Sequence, residues 1–240
     1  MDKDKQEERK WWQDHINEES ELRKPHRTRW EYLQWEKLFS ILISHYDFSN
    51  KKIFVGCCGT GIFEDAISKY EPSIKEVTGL DLTPNFIKLA MIRNEHNEKT
   101  KFVIGDLEET NLENNYFDVS VIIDGLHHVP HPFIALKEMR RISRDLIFSE
   151  PNALNPIRRI NELKYRKQGV RESSFYEWQL LSWLRSCHYN DIVVFNTGFV
   201  PSFTPEIIIE FCSGSEDILR RVPLFKKIGG GLLVIAKSEK

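Results

Sequence analysis

From residue 52 onward the chain alternates short apolar runs with amphipathic stretches, and that rhythm restricts it to a narrow set of folds. Lys52 to Val55, Glu76 to Leu80, Lys101 to Ile104, Phe117 to Ile123 and Leu146 to Ser149 read as strands. Between them Phe63 to Tyr70, Pro84 to Asn94 and Phe133 to Ile142 read as helices. Thr83 is placed to cap the second of these, with Pro84 at its first position. Strands this uniformly apolar are buried on both faces, which requires helices on both sides of a mostly parallel sheet. After Pro151 the rhythm changes. A Pro-Asn-Ala-Leu-Asn-Pro loop leads into a basic, polar stretch at 157–174, a helix from Phe175 to Cys187 and a strand from Ile192 to Phe195. Gly229-Gly230-Gly231 then opens a strong strand from Leu232 to Ala236. Ahead of the sheet, apolar groups at Trp30, Leu33, Leu38, Ile41 and Leu42 recur at a helical period and predict one or two helices. We divide the chain into a helical extension at 1–50, a candidate lid, and an α/β domain at 51–240. A substrate-facing insertion falls at about 151–175.

The first strand empties into Gly56-Cys57-Cys58-Gly59-Thr60-Gly61, ahead of a helix. Open α/β sheets bind ligands at the carboxyl ends of their strands, and glycines there let the backbone come close to a ligand. A tight turn alone would need the same small residues; the order strand, glycine loop, helix favours binding. A dinucleotide fingerprint requires a third glycine at position 64, where Glu64 stands, and a carboxylate at a helix start opposes a pyrophosphate. No Gly-Lys-Ser or Gly-Lys-Thr follows, so a Walker loop is excluded as well. Asp81, twenty residues beyond Gly61, ends the second strand, where a carboxylate can accept both hydroxyls of a ribose. Its other reading is a helix cap, a role that Thr83 already fills. Asp106 ends the third strand, either as a turn aspartate or as a partner for an adenine amino group.

These segments resemble the class I S-adenosylmethionine-dependent methyltransferase family. Val55 to Gly61 is similar to its first motif, Gly79 to Pro84 to its second, Gly105-Asp106-Leu107 to its third, and Phe117-Asp118 through Leu126-His127-His128-Val129-Pro130 to its fourth. The likeness extends over Ser149 to Asn152 and covers roughly residues 50–240. It implies a seven-stranded Rossmann-like sheet, mostly parallel, with an antiparallel last strand near Leu232–Ala236 and helices on both faces. It also implies S-adenosylmethionine as cofactor and S-adenosylhomocysteine as product. By position, Gly56, Cys57, Cys58, Gly59, Thr60 and Gly61 would cradle the methionine part. Asp81 would hold the ribose, Leu82 would pack on adenine, and Asp106 and Leu107 would meet the adenine edge. Asp124, Leu126 and His127 would border the methionine end. The chain departs from the family twice: Val55 stands where an acidic residue is usual, and Cys57 replaces the first loop glycine.

Methyl transfer needs an acceptor aligned behind the methyl group, and an oxygen acceptor gains from a general base. His127, His128 and His131 cluster beside the expected cofactor and are candidates for that base. Their alternative is to line the pocket or pack beneath the loop. The two prolines among them and the irregular spacing argue against a metal site. Arg158, Arg159, Lys164, Arg166, Lys167 and Arg171 form a cluster that reads either as a lid greeting an anionic substrate or as a solvated helix face.

A net charge of −2 leaves no basic excess to neutralise a phosphate backbone, so nucleic acid is not an expected partner. Apolar runs stay far below membrane-spanning length, and the four unpaired cysteines suit a reducing cytoplasm. The sequence leaves the oligomeric state open. The expectation is a cytoplasmic small-molecule methyltransferase, acting on a hydroxyl of a metabolite, glycan or natural product. Alternatives are a nitrogen or carbon acceptor, or a non-catalytic binding protein favoured by Val55.

Overall fold

The computed structural model describes residues 3–15, 28–166, 173–219, 222 and 227–238. Seven strands form one sheet: β1 (Lys52–Gly56), β2 (Glu76–Asp81), β3 (Thr100–Ile104), β4 (Phe117–Ile123), β5 (Ser143–Pro151), β6 (Asp191–Thr197) and β7 (Gly231–Lys237), in the order β3-β2-β1-β4-β5-β7-β6. β7 runs antiparallel to both of its neighbours; the other pairings are parallel. Successive residues of β1 serve opposite faces. Phe54 joins the core with Leu136 and Leu184, whereas Ile53 and Val55 join the core with Leu42 and Ile67. The strand order reverses between β1 and β4, which opens a crevice at their carboxyl ends.

The helices among the described residues are α1 (Lys3–His15), α2 (Arg29–His45), α3 (Ile62–Tyr70), α4 (Pro84–Arg93), α5 (Pro132–Ile142), α6 (Pro156–Arg166), α7 (Glu177–Ser186) and α8 (Glu206–Leu219). α2 begins with a reciprocal cap, Thr28 accepting from the Glu31 N–H and Glu31 from the Thr28 N–H.

Three expectations change. The Thr83 side chain makes no cap; the Asp81 carboxylate accepts the Thr83 N–H at 2.9 Å instead. Phe175 precedes its helix and runs extended, exchanging backbone hydrogen bonds with Pro151 and Ala153. Glu64 turns away from the glycine loop and sits fully buried beneath α3, so close to β2 that a Cβ on Gly79 would lie 2.6 Å from its Oε1. Of the basic cluster, Lys167 and Arg171 and the side chains of Lys164 and Arg166 lie outside the described residues. No helix of the described residues is long and apolar enough to cross a membrane.

Candidate active site

A cavity of about 800 Å³ opens at the carboxyl ends of β1 to β5, within the size range of small-molecule sites. Its floor includes Cys57, Cys58, Gly59 and Thr60. Cys57, Gly59 and Gly61 all take left-handed backbone conformations, with φ of 51°, 51° and 73°. Glycine accepts these freely, whereas Cys57 adopts one at a steric cost of about 1 kcal/mol. The loop is tied down from several sides. Cys58 N–H donates to Leu80 O at 3.0 Å, and Gly59 N–H to Asp81 Oδ2 at 3.0 Å. From α4, Arg93 Nη1 donates to Thr60 O and Oγ1 at 3.0 and 2.8 Å. Asn94, just past α4, donates to Gly61 O at 3.0 Å. Sequence reasoning missed Arg93 and Asn94, because nothing in a helix C-terminus announces which loop lies opposite.

Asp81 therefore has a scaffolding part as well as a place on the cavity wall. Burial pushes its carboxyl above the usual range, against the pull of the Thr83 and Gly59 N–H groups. Leu82 lines the cavity beside Phe86. Asp106 and Leu107 line it too. Asp106 Oδ2 accepts from Lys5 Nζ at 2.5 Å, while its Oδ1 accepts the Glu108 N–H at 2.9 Å. Gly56 lies just outside the cavity, where a Cβ would collide with the Leu107 side chain.

The loop after β4 is organised by Glu150, which sequence reasoning quoted only as part of a motif. Its buried carboxyl accepts the N–H groups of Gly125, Leu126 and His127 at 3.1, 2.7 and 3.1 Å, and shares a hydrogen bond of 2.7 Å with His127 Nδ1. Burial pushes this carboxyl up to about 8 even so. The three histidines separate, each meeting a carboxylate from a different segment. His127 is buried against Glu150 and, like Leu126, does not line the cavity. His131 is half exposed, its Nδ1 3.1 Å from Glu108 Oε2, and also lies off the cavity. His128 lines it, with Nδ1 2.9 Å from Glu8 Oε1 as a close charge contact outside hydrogen-bond alignment. Its ring is flanked by His127 at 4.0 Å and Trp12 at 5.4 Å between centroids.

The roof comes from outside the sheet. α1 contributes Lys5, Glu8 and Trp12, and Trp12 also packs on Phe86 at 5.6 Å. α2 contributes Trp30, Gln34 and Trp35, and the α6 region Asn155, Arg158 and Asn161. Among the described residues, no group of three or more histidine, cysteine or carboxylate side chains is arranged to hold a metal ion.

Residues 54–145 match the family model of the methyltransferase domain. A demethylmenaquinone methyltransferase of Staphylococcus aureus is 42% identical over 86 residues, covering 36% of this chain and 36% of the relative. The chain thus spans about a third of the length of the curated relatives it matches. Among solved structures, an S-adenosylmethionine-dependent methyltransferase of Thermotoga maritima superposes with a TM-score of 0.68 at 15% identity, covering 97% of this chain and 100% of that one. The magnesium protoporphyrin IX methyltransferase of Synechocystis, solved with S-adenosylhomocysteine, gives 0.68 at 13% identity, covering 98% and 100%. Sheet order and glycine loop are together those of the fold shared by the solved S-adenosylmethionine-dependent methyltransferases, and the matched stretch is that of a methyltransferase domain. The likeness in sequence lies in the stretch from β1 into β5.

S-adenosylmethionine suits the residues present. A Cβ on Gly59 would meet nothing within 4 Å, so the loop leaves open space where the family places the amino-acid part. Asp81 offers carboxylate acceptors beside the apolar surface of Leu82 and Phe86, a combination fit for ribose and adenine.

Proposed function

We propose that the chain methylates a small molecule held in the same cavity, with a hydroxyl as acceptor and His128 as the base that takes its proton. One observation carries this reading: the glycine loop, Asp81 and a histidine line a single cavity whose remaining wall is rich in tryptophan. Relatives named for demethylmenaquinone and magnesium protoporphyrin IX support a small-molecule acceptor. The bound cofactor supplies a methyl group activated by its sulfonium. Cys57 to Thr60 and Asp81 hold that cofactor, with Asp106 and Leu107 at the adenine edge. Gly56, Gly61 and Leu126 keep the two loops in shape. His127, locked to Glu150, positions His128 through ring contact. Glu8 faces the His128 ring and favours its charged form once the proton has been taken. Because Glu8 belongs to α1, the base is complete only with α1 across the cavity, which gives the N-terminal extension its part as a lid. All four cysteines are free thiols, in keeping with a cytoplasmic site of action.

Calorimetric titration with S-adenosylhomocysteine, with NADH as control, tests the cofactor assignment; binding of the former alone is the expected result. For the base, His128→Asn is expected to lower kcat by about 10²–10⁴-fold with cofactor affinity retained. Equal losses in kcat and affinity would assign His128 to pocket lining. A nitrogen or carbon acceptor, for which alignment alone suffices, would show little response to this substitution.

A further inference from the structure

Given the cofactor assignment, on which this inference rests, one requirement goes unmet by β1. The amino-acid end of the cofactor carries an ammonium and a carboxylate, and Val55 lines the cavity where the family usually supplies an acid. Two opposite charges stand elsewhere on the cavity wall. Asp124 follows β4 in a left-handed conformation, φ 49°, with its side chain open to the cavity. Beside it, a Cβ on Gly125 would lie only 2.5 Å from the Cys57 Cβ, so this turn abuts the glycine loop directly. Ser149 Oγ donates to Asp124 Oδ1 at 3.3 Å and steadies it.

Arg158 faces the same cavity from α6. Its neighbour Arg159 pairs with Glu162, whereas the Arg158 guanidinium forms no ion pair or side-chain hydrogen bond among the described residues. Asp124 and Arg158 line the same cavity with no bond between them. Burial and the nearby Glu150 raise the Asp124 carboxyl, and Arg158 is the first of the groups drawing it back down. A cavity wall that offers an acceptor-only carboxylate and a donor-only guanidinium, not joined to each other, matches a zwitterion.

We propose that Asp124 and Arg158 clamp the amino-acid end of the cofactor, Asp124 accepting from its ammonium and Arg158 donating to its carboxylate. The pair replaces the acid that β1 lacks at Val55. The β4 loop and α6 thereby take over a contact usually made from the first strand.

Two ligands separate this clamp from the rest of the site: S-adenosylhomocysteine, and 5′-methylthioadenosine, which has the same nucleoside and thioether but neither charged group. Calorimetry would compare the wild type with Asp124→Asn, which tolerates the left-handed backbone, and with Arg158→Gln. Each substitution is expected to weaken S-adenosylhomocysteine about tenfold or more while leaving 5′-methylthioadenosine within about twofold, which also reports an intact pocket. Unchanged S-adenosylhomocysteine affinity in Arg158→Gln would overturn the clamp and free Arg158 for an anionic group of the acceptor. Parallel losses for both ligands would overturn it as general damage to the site. Equal affinity of the wild type for both ligands would likewise refute it, and failure of the wild type to bind either would remove the cofactor assignment itself.

Discussion

The floor and the roof of the cavity are held by different kinds of contact. The floor is fastened by hydrogen bonds between buried groups, with Asp81, Arg93, Asn94 and Glu150 each fixing backbone atoms of a loop. The roof rests on contacts that reach far along the chain: ion pairs from Lys5 to Asp106 at 2.5 Å and to Glu108 at 2.8 Å, and the approach of Glu8 to His128. Burial alone would lower the Lys5 ammonium, but its hydrogen bonds to the two carboxylates hold it above the usual lysine range. A floor of this kind is rigid and costly to disturb, since each buried polar partner lost leaves another unsatisfied. A roof held by a few charge contacts from one helix is looser, because α1 can lift away and return those charges to water. The contrast suits a site that must hold one ligand firmly while letting another in and out.

The largest effect is expected at Asp81. Asp81→Ala removes a cavity carboxylate and two backbone anchors together, so S-adenosylhomocysteine affinity is expected to fall at least a hundredfold and unfolding free energy by about 2 kcal/mol. Calorimetry and urea unfolding read the two losses; unchanged affinity would sink the ribose assignment and weaken the case for a load-carrying floor.

Glu64 offers a sharper probe of the floor. Its oxygens meet no donor in hydrogen-bond geometry among the described residues, and burial pushes its carboxyl up to about 8 from an ordinary 4.5. Between those values the folded state keeps a proton that the unfolded chain releases, so stability falls as pH rises from about 5 to 8. Glu64→Gln removes that dependence. Relative to the wild type, the variant is expected to be about 2 kcal/mol or more stabler at pH 8 than at pH 5. Parallel unfolding curves at the two pH values would place Glu64 in a wetter setting.

The roof is expected to respond more weakly. Lys5→Met is expected to shift global stability by less than about 1 kcal/mol while exposing α1 to proteolysis several-fold faster. Cleavage in α1 at the wild-type rate would show that Trp12 packing, not charge, holds the roof. Smallest of all is the expected salt effect: raising ionic strength should speed α1 cleavage in the wild type and leave Lys5→Met nearly unchanged.

The same contrast separates what the sequence disclosed from what it hid. Strands buried on both faces, such as Ile53 to Val55 and Leu232 to Ala236, announce themselves because nothing polar interrupts them. The glycine loop, Asp81 and Asp106 were readable because each stands at a strand end within a local motif. The extension at 1–50 was readable as a candidate lid, but the contacts that seat α1 over the cavity were not. Its sequence is mostly polar, and its place depends on a lysine finding carboxylates 101 residues away in Asp106 and nearby Glu108. α8 was missed because Ile207, Phe211 and Ile218 point outward, which blurs the one-sided pattern expected of a covering helix. The histidines looked like one cluster, yet a single turn of chain sends them to Glu150, Glu8 and Glu108. Glu64 was assigned to the ligand side because sequence gives the start of a helix but not its rotation.

The placement of β7 has a consequence for how the chain assembles as it is made. β6 touches the sheet only through β7, and β5 shows its outer edge until β7 arrives. In vectorial synthesis, residues 191–197 therefore emerge without a partner and must wait for 231–237 before either edge is closed. During that interval Leu146 to Pro151, an apolar strand with unpaired backbone groups, is a template for pairing with another chain. A break or stall anywhere between β6 and β7 would convert an interior strand of the mature sheet into an exposed, adhesive rim.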